Sequence, residues 1–511
     1  MNVLFVPLDD RPATRDAVMD LAAAAGIPLT TPDRPLLGDR ERGADVPALW
    51  AWLHGEMRRE GAPAACIASA EMLVFGGLVA ARRSARHWRN LLPWLDEIHA
   101  LAARAPTYLS AVIPRTPTSG GGSEDPSYWE THGDALREYA AAADRFAWMG
   151  DPSSRRSVGE TLAKLPSEVV EDLFQHRRRH LLINAELLLA AAQGPLRALL
   201  IGQDDTTVSG LSRQDREALQ RLAARAAGGG GGASNVFLTS GADELGATLF
   251  ARWLNDSAGT APAVRVVYTF PAAIEHVAAY ESTPLTRSVR DHLLAAGCRT
   301  VDAGEEVLFW VHNFQEDTQG EAHDQPDPRA DPHGPAAAKA LLDDGGTADR
   351  VVAVADVRYA NGADRALVES LLRHAGFGGV DAYAAWNTAG NALGSAIAQA
   401  VALYHVRRGA VPGNLDLARR MLITRLLDDW GYQAVVRPRL GRLLAERGGD
   451  AARVDADDTV LQSAAGAAFA EAVVPLMASS FDQRITVRRV AFPWRRLFEA
   501  LVEFEIAAIH V

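Results

Sequence analysis

The stretch ALLIGQDDTTVSGLSRQDREALQRLAARAA (198–227) decides how the chain is read. It opens with an apolar run, breaks at two adjacent carboxylates, and continues into a segment whose apolar residues recur at helical spacing. This is one βα unit. Working outward, the same pattern recurs at NVLFVPLDD (2–10), AACIASAEM (64–72), TYLSAVIPR (107–115), NVFLTSGADE (235–244), VRVVYTF (264–270), EVLFWVHN (306–313), RVVAVADV (350–357) and VDAYAAWN (380–387). Near-continuous apolar character suits parallel strands covered on both faces. Helices are expected at 133–146, 167–193, 212–227, 242–255, 283–296 and 363–374.

Alternation of this kind predicts an α/β fold, read as a TIM-like (β/α)8 barrel over 1–405, with open doubly wound parallel sheets as the alternative. From about 406 the alternation gives way to helical segments (414–427, 436–448, 459–478), and 485–509 reads as two or three strands. Residues 406–511 are therefore expected to form a C-terminal α+β accessory domain. The runs at 228–234 (GGGGGAS) and 315–335 (polar and Pro-rich) read as loops, the second a candidate lid.

The 511 residues carry 52 Lys+Arg against 64 Asp+Glu, a net charge of −12, with 48% hydrophobic and 23% charged residues. That composition excludes disordered and fibrous classes. Without a basic stripe there is no nucleic-acid footprint, and RRRH (177–180) reads as a solvated helix face. Lys164 and Lys339 are the only lysines, and neither sits in a phosphate-binding loop or a Schiff-base setting. Cys66 and Cys298 cannot make a Cys-rich zinc site. The start MNVLFVPLDD has no basic leader and no apolar run reaches a membrane span, so a cytoplasmic protein without membrane or nucleic-acid partners is expected.

Ligands of parallel α/β folds bind at the carboxyl ends of strands. The residues there are Asp9, Asp10 and the following Arg11, Glu71, Arg115, Asp204, Asp205, Asp243, Glu244, Asn313, Asp356, Trp386 and Asn387. Acids also form turns and caps, so any single position has a bland explanation. Asp204 and Asp205 are the sharpest pair. Ser212, with Asp215 three residues on, is expected to cap the following helix, which frees the two acids for chemistry. Close carboxylates repel, one pKa rises, and the protonated partner can serve as a general acid. Trp386, Asn387 and Asn391 suit a sugar, ring against its apolar face and amides on its hydroxyls, or else Trp386 is core. Asn361 repeats the pattern after Asp356, although NGAD is also an ordinary turn. Tyr128, Trp129 and His132 could cover a ligand from the loop after Arg115, or simply start a helix. There is no HExxH, no GxSxG elbow and no GxGxxG after a strand.

The segments VPLDDRP (6–12), SAEMLVFGGLVAAR (69–82), IPRTP (113–117), YW (128–129), RRRHLLINAELL (177–188), IGQDDTTVSGLSRQDRE (201–217), GADELG (241–246), ADVRYANGAD (355–364), WNTAGNALG (386–394), DDWGYQAVVR (428–437) and FPWRRLFE (492–499) together resemble a bacterial family filed as domain of unknown function 4127. Glu71 departs from the Asp expected there. The Asp-Asp strand end, with Trp and Asn from later strands, also resembles substrate-assisted β-N-acetylhexosaminidases of TIM-like fold. By that resemblance Asp204 orients the 2-acetamido group and Asp205 is acid and base. The reading is an exo-acting glycosidase on a small carbohydrate, needing no cofactor. A metal-dependent hydrolase or lyase using Asp9, Asp10, Asp204, Asp205 and Asp356, or a non-catalytic sugar-binding protein, are the alternatives. FPWRRLFE reads as a structural clamp.

Overall fold

The computed structural model describes residues 2–59, 62–117, 124–227, 235–345, 350–374, 376–456 and 458–508. The Gly-rich run at 228–234 lies outside them. All nine apolar runs are strands, and they divide between two open parallel sheets. The first sheet contains β1 (Val3–Val6), β2 (Leu29–Thr30), β3 (Ala65–Ser69), β4 (Thr107–Ile113), β5 (Leu196–Gln203) and β6 (Val236–Ser240), in the order β2-β1-β3-β4-β5-β6. The second contains β7 (Ala263–Tyr268), β8 (Arg299–Thr300), β9 (Val307–Asn313), β11 (Val351–Val357) and β13 (Ala382–Ala384). Its order is β13-β11-β9-β7-β8. The short strands β10 (Gly320–Glu321) and β12 (Tyr359–Ala360) pair with each other. The chain ends in the antiparallel pair β14 (Gln483–Ala491) and β15 (Leu501–Ala508).

Neither parallel sheet closes, which corrects the barrel expectation and leaves open α/β sheets. Closure would need every strand paired on both sides; here β2 and β6 edge one sheet and β8 and β13 the other. Both sheets share one winding. The first strand sits second from the edge, and later strands are added on its other side, so strand order reverses beside β1 in one sheet and beside β7 in the other. Such a reversal opens a crevice at the carboxyl ends of the two strands that flank it.

The chain forms two compact units. Unit one comprises Met1–Asp10, Ile27–Trp253 and Tyr280–Thr283, and unit two comprises Arg11–Gly26, Leu254–Ala279 and Pro284–Val511. Residues 406–511 thus lie in the unit that holds the second sheet. In unit one, Val6, Leu49, Ile67, Leu109, Leu187 and Ile201 are among the fully buried core residues. In unit two, Phe309, Val354, Tyr383, Trp430, Tyr432 and Phe469 fill the same role. Among the described residues one helix, 459–481, is apolar and long enough to cross a membrane by length and composition. Its Leu461, Phe469, Val473 and Met477 pack into the unit-two core, as a core helix of that composition does. The 315–335 run is not a structureless loop. It contains β10 and a 3-10 turn at Ala322–Asp324, and Gln319 donates to the Val357 carbonyl (2.8 Å) and Gln325 to that of Ala363 (2.7 Å).

Candidate active site

The carboxyl edge of the first sheet is built by strand ends that need substitutes for lost ladder partners. β3 stops at Ser69, whose hydroxyl caps the helix Ala70–Phe75, so Val112 of β4 pairs with Gly202 of β5 but has no β3 residue on its other side. The Glu71 carboxylate accepts the Val112 N–H (2.8 Å) and the Asn184 amide donates to the Val112 carbonyl (3.0 Å). Gly76, at φ +90°, ends that helix in a left-handed conformation that disfavours a side chain. Glu71 is 3% exposed. Burial, reinforced by the charge of Asp204, pushes its carboxyl up to about 7 against the pull of its hydrogen bonds.

β5 carries Gln203 to the same edge and then breaks. Gly202 is required there, because a Cβ would collide with the Gly241 carbonyl oxygen. The Asp204 N–H donates to the Ile113 carbonyl (3.2 Å) and the Thr116 N–H to the Asp205 carbonyl (3.2 Å), which ties the Asp-Asp turn to the end of β4. Arg82 donates to Asp204 Oδ2 from Nε (3.1 Å) and Nη2 (2.6 Å), and to Glu124 from Nη1 (3.0 Å). Arg115 forks onto Asp125, with its Nη1 3.7 Å from Asp205 Oδ2. Asp204 Oδ1 accepts the Asp205 N–H (2.9 Å).

The two aspartates consequently differ. Asp204 is buried and clamped by a guanidinium. Asp205 keeps 29% of its side chain exposed, and burial together with the neighbouring Asp204 charge pushes its carboxyl up to about 7, Arg115 and Arg82 pulling the other way and Asp243 adding to the rise. A cleft of about 500 Å³ adjoins Arg82, lined by Asp125, Tyr128, Glu130, Asp172 and His176 among others. The Tyr128 hydroxyl donates to Asp172 (2.8 Å). Trp129 packs in the core of this region and His132 is partly exposed on the helix Tyr128–Met149.

Two expectations are corrected here. Ser212 does not cap the helix Leu211–Ala226; its hydroxyl donates to the Pro114 carbonyl (2.7 Å), and Asp215 pairs with Arg177 (2.5 Å). The Gly210 N–H at that helix start is taken by Asp144 (2.9 Å). Likewise Arg177, Arg179 and His180 are buried rather than solvated, because the helix Ser167–Gln193 lies against this edge and their side chains bond to the carbonyls of 81, 84, 114 and 115.

Unit one also holds Asp9, Asp10, Asp243 and Glu244, all buried, and Asp9 and Asp10 follow β1 at the reversal beside β3. Unit two holds Arg11, Asn313, Asp356, Asn361, Trp386, Asn387 and Asn391. The sequence read these as one constellation; the chain distributes them between two units. In unit two, Arg11 lies over Trp494 (4.6 Å) and 3.7 Å from Glu499, inside the expected FPWRRLFE clamp. Asn313 ties β9 to the chain after β7 through Phe270 N–H (2.9 Å) and carbonyl (3.0 Å). Asn361 and Asn387, at φ +62° and +57°, are joined by an N–H to carbonyl bond (2.7 Å). Trp386 is 4% exposed and meets Phe498 edge-to-face at 5.5 Å, and Asn391 is buried in the helix Ala389–Arg407.

Asp356 accepts the Tyr383 hydroxyl (2.8 Å) and the Asp364 N–H (2.7 Å). Asp364 accepts His312 Nε2 (2.8 Å) and Arg358 (2.7 Å), and the other nitrogen of His312 meets Thr269 Oγ1 (2.9 Å). Burial raises Asp356 to about 6, with His312 opposing and Asp364 adding; burial would raise Asp364 too, but His312 and Arg358 outweigh it and hold it at about 2. Arg82, Glu124, Asp125, Arg358 and Asp364 were missed from sequence because none closes a strand. His312 has no partner near in sequence, since Asp364 lies 52 residues on. Among the described residues no group of three or more His, Cys, Asp or Glu could hold a metal ion.

Comparison with the curated proteins finds no match, and neither does comparison with the solved structures. A family model described as "Protein of unknown function (DUF4127)" matches residues 3–503, nearly the whole chain. The chain belongs to that family.

Proposed function

We propose that unit one is a glycoside hydrolase acting on a small 2-acetamido sugar, with Asp205 as acid and base. The observation that supports this reading best is the unequal pair: Asp204 clamped by Arg82, Asp205 reachable and raised to about 7. Three of the roughly four acceptor positions of Asp204 are occupied. The remaining one can accept the acetamido N–H and turn its carbonyl oxygen toward the anomeric carbon. That oxygen attacks, the glycosidic bond breaks, and the Asp205 proton passes to the leaving oxygen; the resulting carboxylate then takes a proton from the water that adds to the anomeric carbon, while the bond from that carbon to the acetamido oxygen breaks and the acetamide is restored. This is the substrate-assisted exception to the two-carboxylate scheme.

Charge supports a neutral ligand. The cleft beside Arg82 sets Arg82 and Arg83 against Asp125, Glu130 and Asp172, a net acidic lining that disfavours a phosphate while offering hydroxyls both donors and acceptors. The test is a panel of p-nitrophenyl glycosides, both anomers of GlcNAc and GalNAc included, with and without EDTA. Release from a 2-acetamido β-glycoside that survives EDTA is expected. No release from any glycoside, or release abolished by EDTA, would overturn the reading.

A further inference from the structure

Unit two contains a second cleft, of about 360 Å³, that this activity does not use. Its walls come from two stretches of π-helix, Pro12–Asp16 and Leu426–Val436, and from the start of β15. π-Helical turns are rare and concentrate at functional sites. The lining acids are Asp16, Asp20, Asp428 and Glu503, against Arg420 and Arg425. Arg425 is already committed, donating to Asp428 Oδ2 (3.2 Å) and Asp429 Oδ1 (3.3 Å), and Arg420 donates to the Phe504 carbonyl (3.2 Å). The remaining wall is apolar, with Met19, Leu427, Val502 and Phe504.

Asp428 is the decisive residue. It is 6% exposed, it lines the cleft, and its Oδ1 is buried without a hydrogen-bond partner. A buried carboxylate oxygen left unmatched is costly, and native structures retain few of them. Its neighbour Asp429 shows the contrast, with Oδ1 on Arg425 and Oδ2 accepting the Ala385 N–H (2.8 Å). What Asp428 Oδ1 lacks is a donor; Asp16 and Glu503 pair with Arg15 (2.8 Å) and Arg489 (3.5 Å), so Asp20 and Asp428 are the acids that make this lining suit a cationic donor.

We infer that this cleft binds a small organic cation, a primary ammonium with an aliphatic body, whose N–H groups meet Asp428 Oδ1. Burial, with the charges of Asp429 and Glu499, raises the Asp428 carboxyl to about 7 against the pull of Arg425, and a cation seated on Oδ1 would oppose that rise.

Isothermal titration of the full chain with pentylammonium, 1,5-diaminopentane, 1-pentanol and pentanoate tests this, with Asp428→Asn and Asp20→Asn alongside. The ammonium compounds should bind at least tenfold more tightly than pentanol, and pentanoate not at all. Asp428→Asn should weaken ammonium binding roughly 10- to 100-fold, as loss of a charge-assisted hydrogen bond does. The wild-type comparison stands even if that variant does not fold. No binding by either amine, pentanol binding as well as pentylammonium, or an unchanged preference in Asp428→Asn would overturn the inference.

Discussion

Arg82 places two donors on a single oxygen of Asp204, Nε at 3.1 Å and Nη2 at 2.6 Å, while its third nitrogen holds Glu124. One guanidinium thereby holds Asp204 in place, while the adjacent Asp205 has its carboxyl raised to about 7 by burial and the Asp204 charge.

Arg82 and both of its partners are nearly inaccessible. Arg82→Ala would strip Asp204 of its guanidinium and leave Glu124 only the more distant Arg115 (3.6 Å), and removing one member of a buried pair costs about 3–5 kcal/mol. Urea denaturation should show that loss, with Arg82→Lys intermediate because ammonium cannot reproduce the fork.

Glu71 gives a pH dependence whose sign follows from its raised value. The folded state holds the Glu71 proton up to about pH 7, whereas the unfolded chain releases it near 4.5. Unfolding therefore sheds a proton in that window, and the stability contribution of Glu71 falls as pH rises from 4.5 through 7. Glu71→Gln removes the charge and keeps an acceptor for the Val112 N–H. It should flatten the pH dependence and raise stability above pH 7 by up to about 3 kcal/mol, measured by denaturation at pH 5 and pH 8.

Asp364 runs the other way. Its depressed pKa contributes stability that is present above about 4 and is lost as pH falls toward 2. Asp364→Asn should destabilise unit two by about 2 kcal/mol at neutral pH, with the deficit closing in acid.

Trp386→Ala should act first on stability, by about 3–5 kcal/mol, because the indole is buried edge-to-face on Phe498. A variant of unchanged melting temperature and raised KM would return Trp386 to a sugar-stacking role.

Much of this architecture is legible in the sequence. Apolar runs such as 107–115 and 350–357 must be buried strands, and the 167–193 helix appears with the bounds its periodicity predicts. Closure is not encoded in that alternation. What decides against a barrel is that the strands part into two open sheets with β6 and β13 left as edges, the opposite edges being β2 and β8, two-residue strands too short to show any period. The site is legible to the same extent. Asp204 and Asp205 announce themselves by closing β5, whereas Arg82 sits inside a helix over 120 residues away in sequence and is brought to them only by the packing of Leu78–Arg83. The buried face of RRRH was misread for a related reason: three adjacent basic residues look solvated until the carbonyls they satisfy are known.

Leaving-group dependence in Asp205→Asn tests the central claim most directly, by comparing turnover of a 2-acetamido β-glycoside bearing an acidic phenol with one bearing a sugar alcohol. The account predicts a drop of roughly 10²–10⁴-fold for the alcohol, which needs a proton to leave, and a much smaller drop for the phenol. Equal losses on both substrates, or full activity on the alcohol, would contradict it.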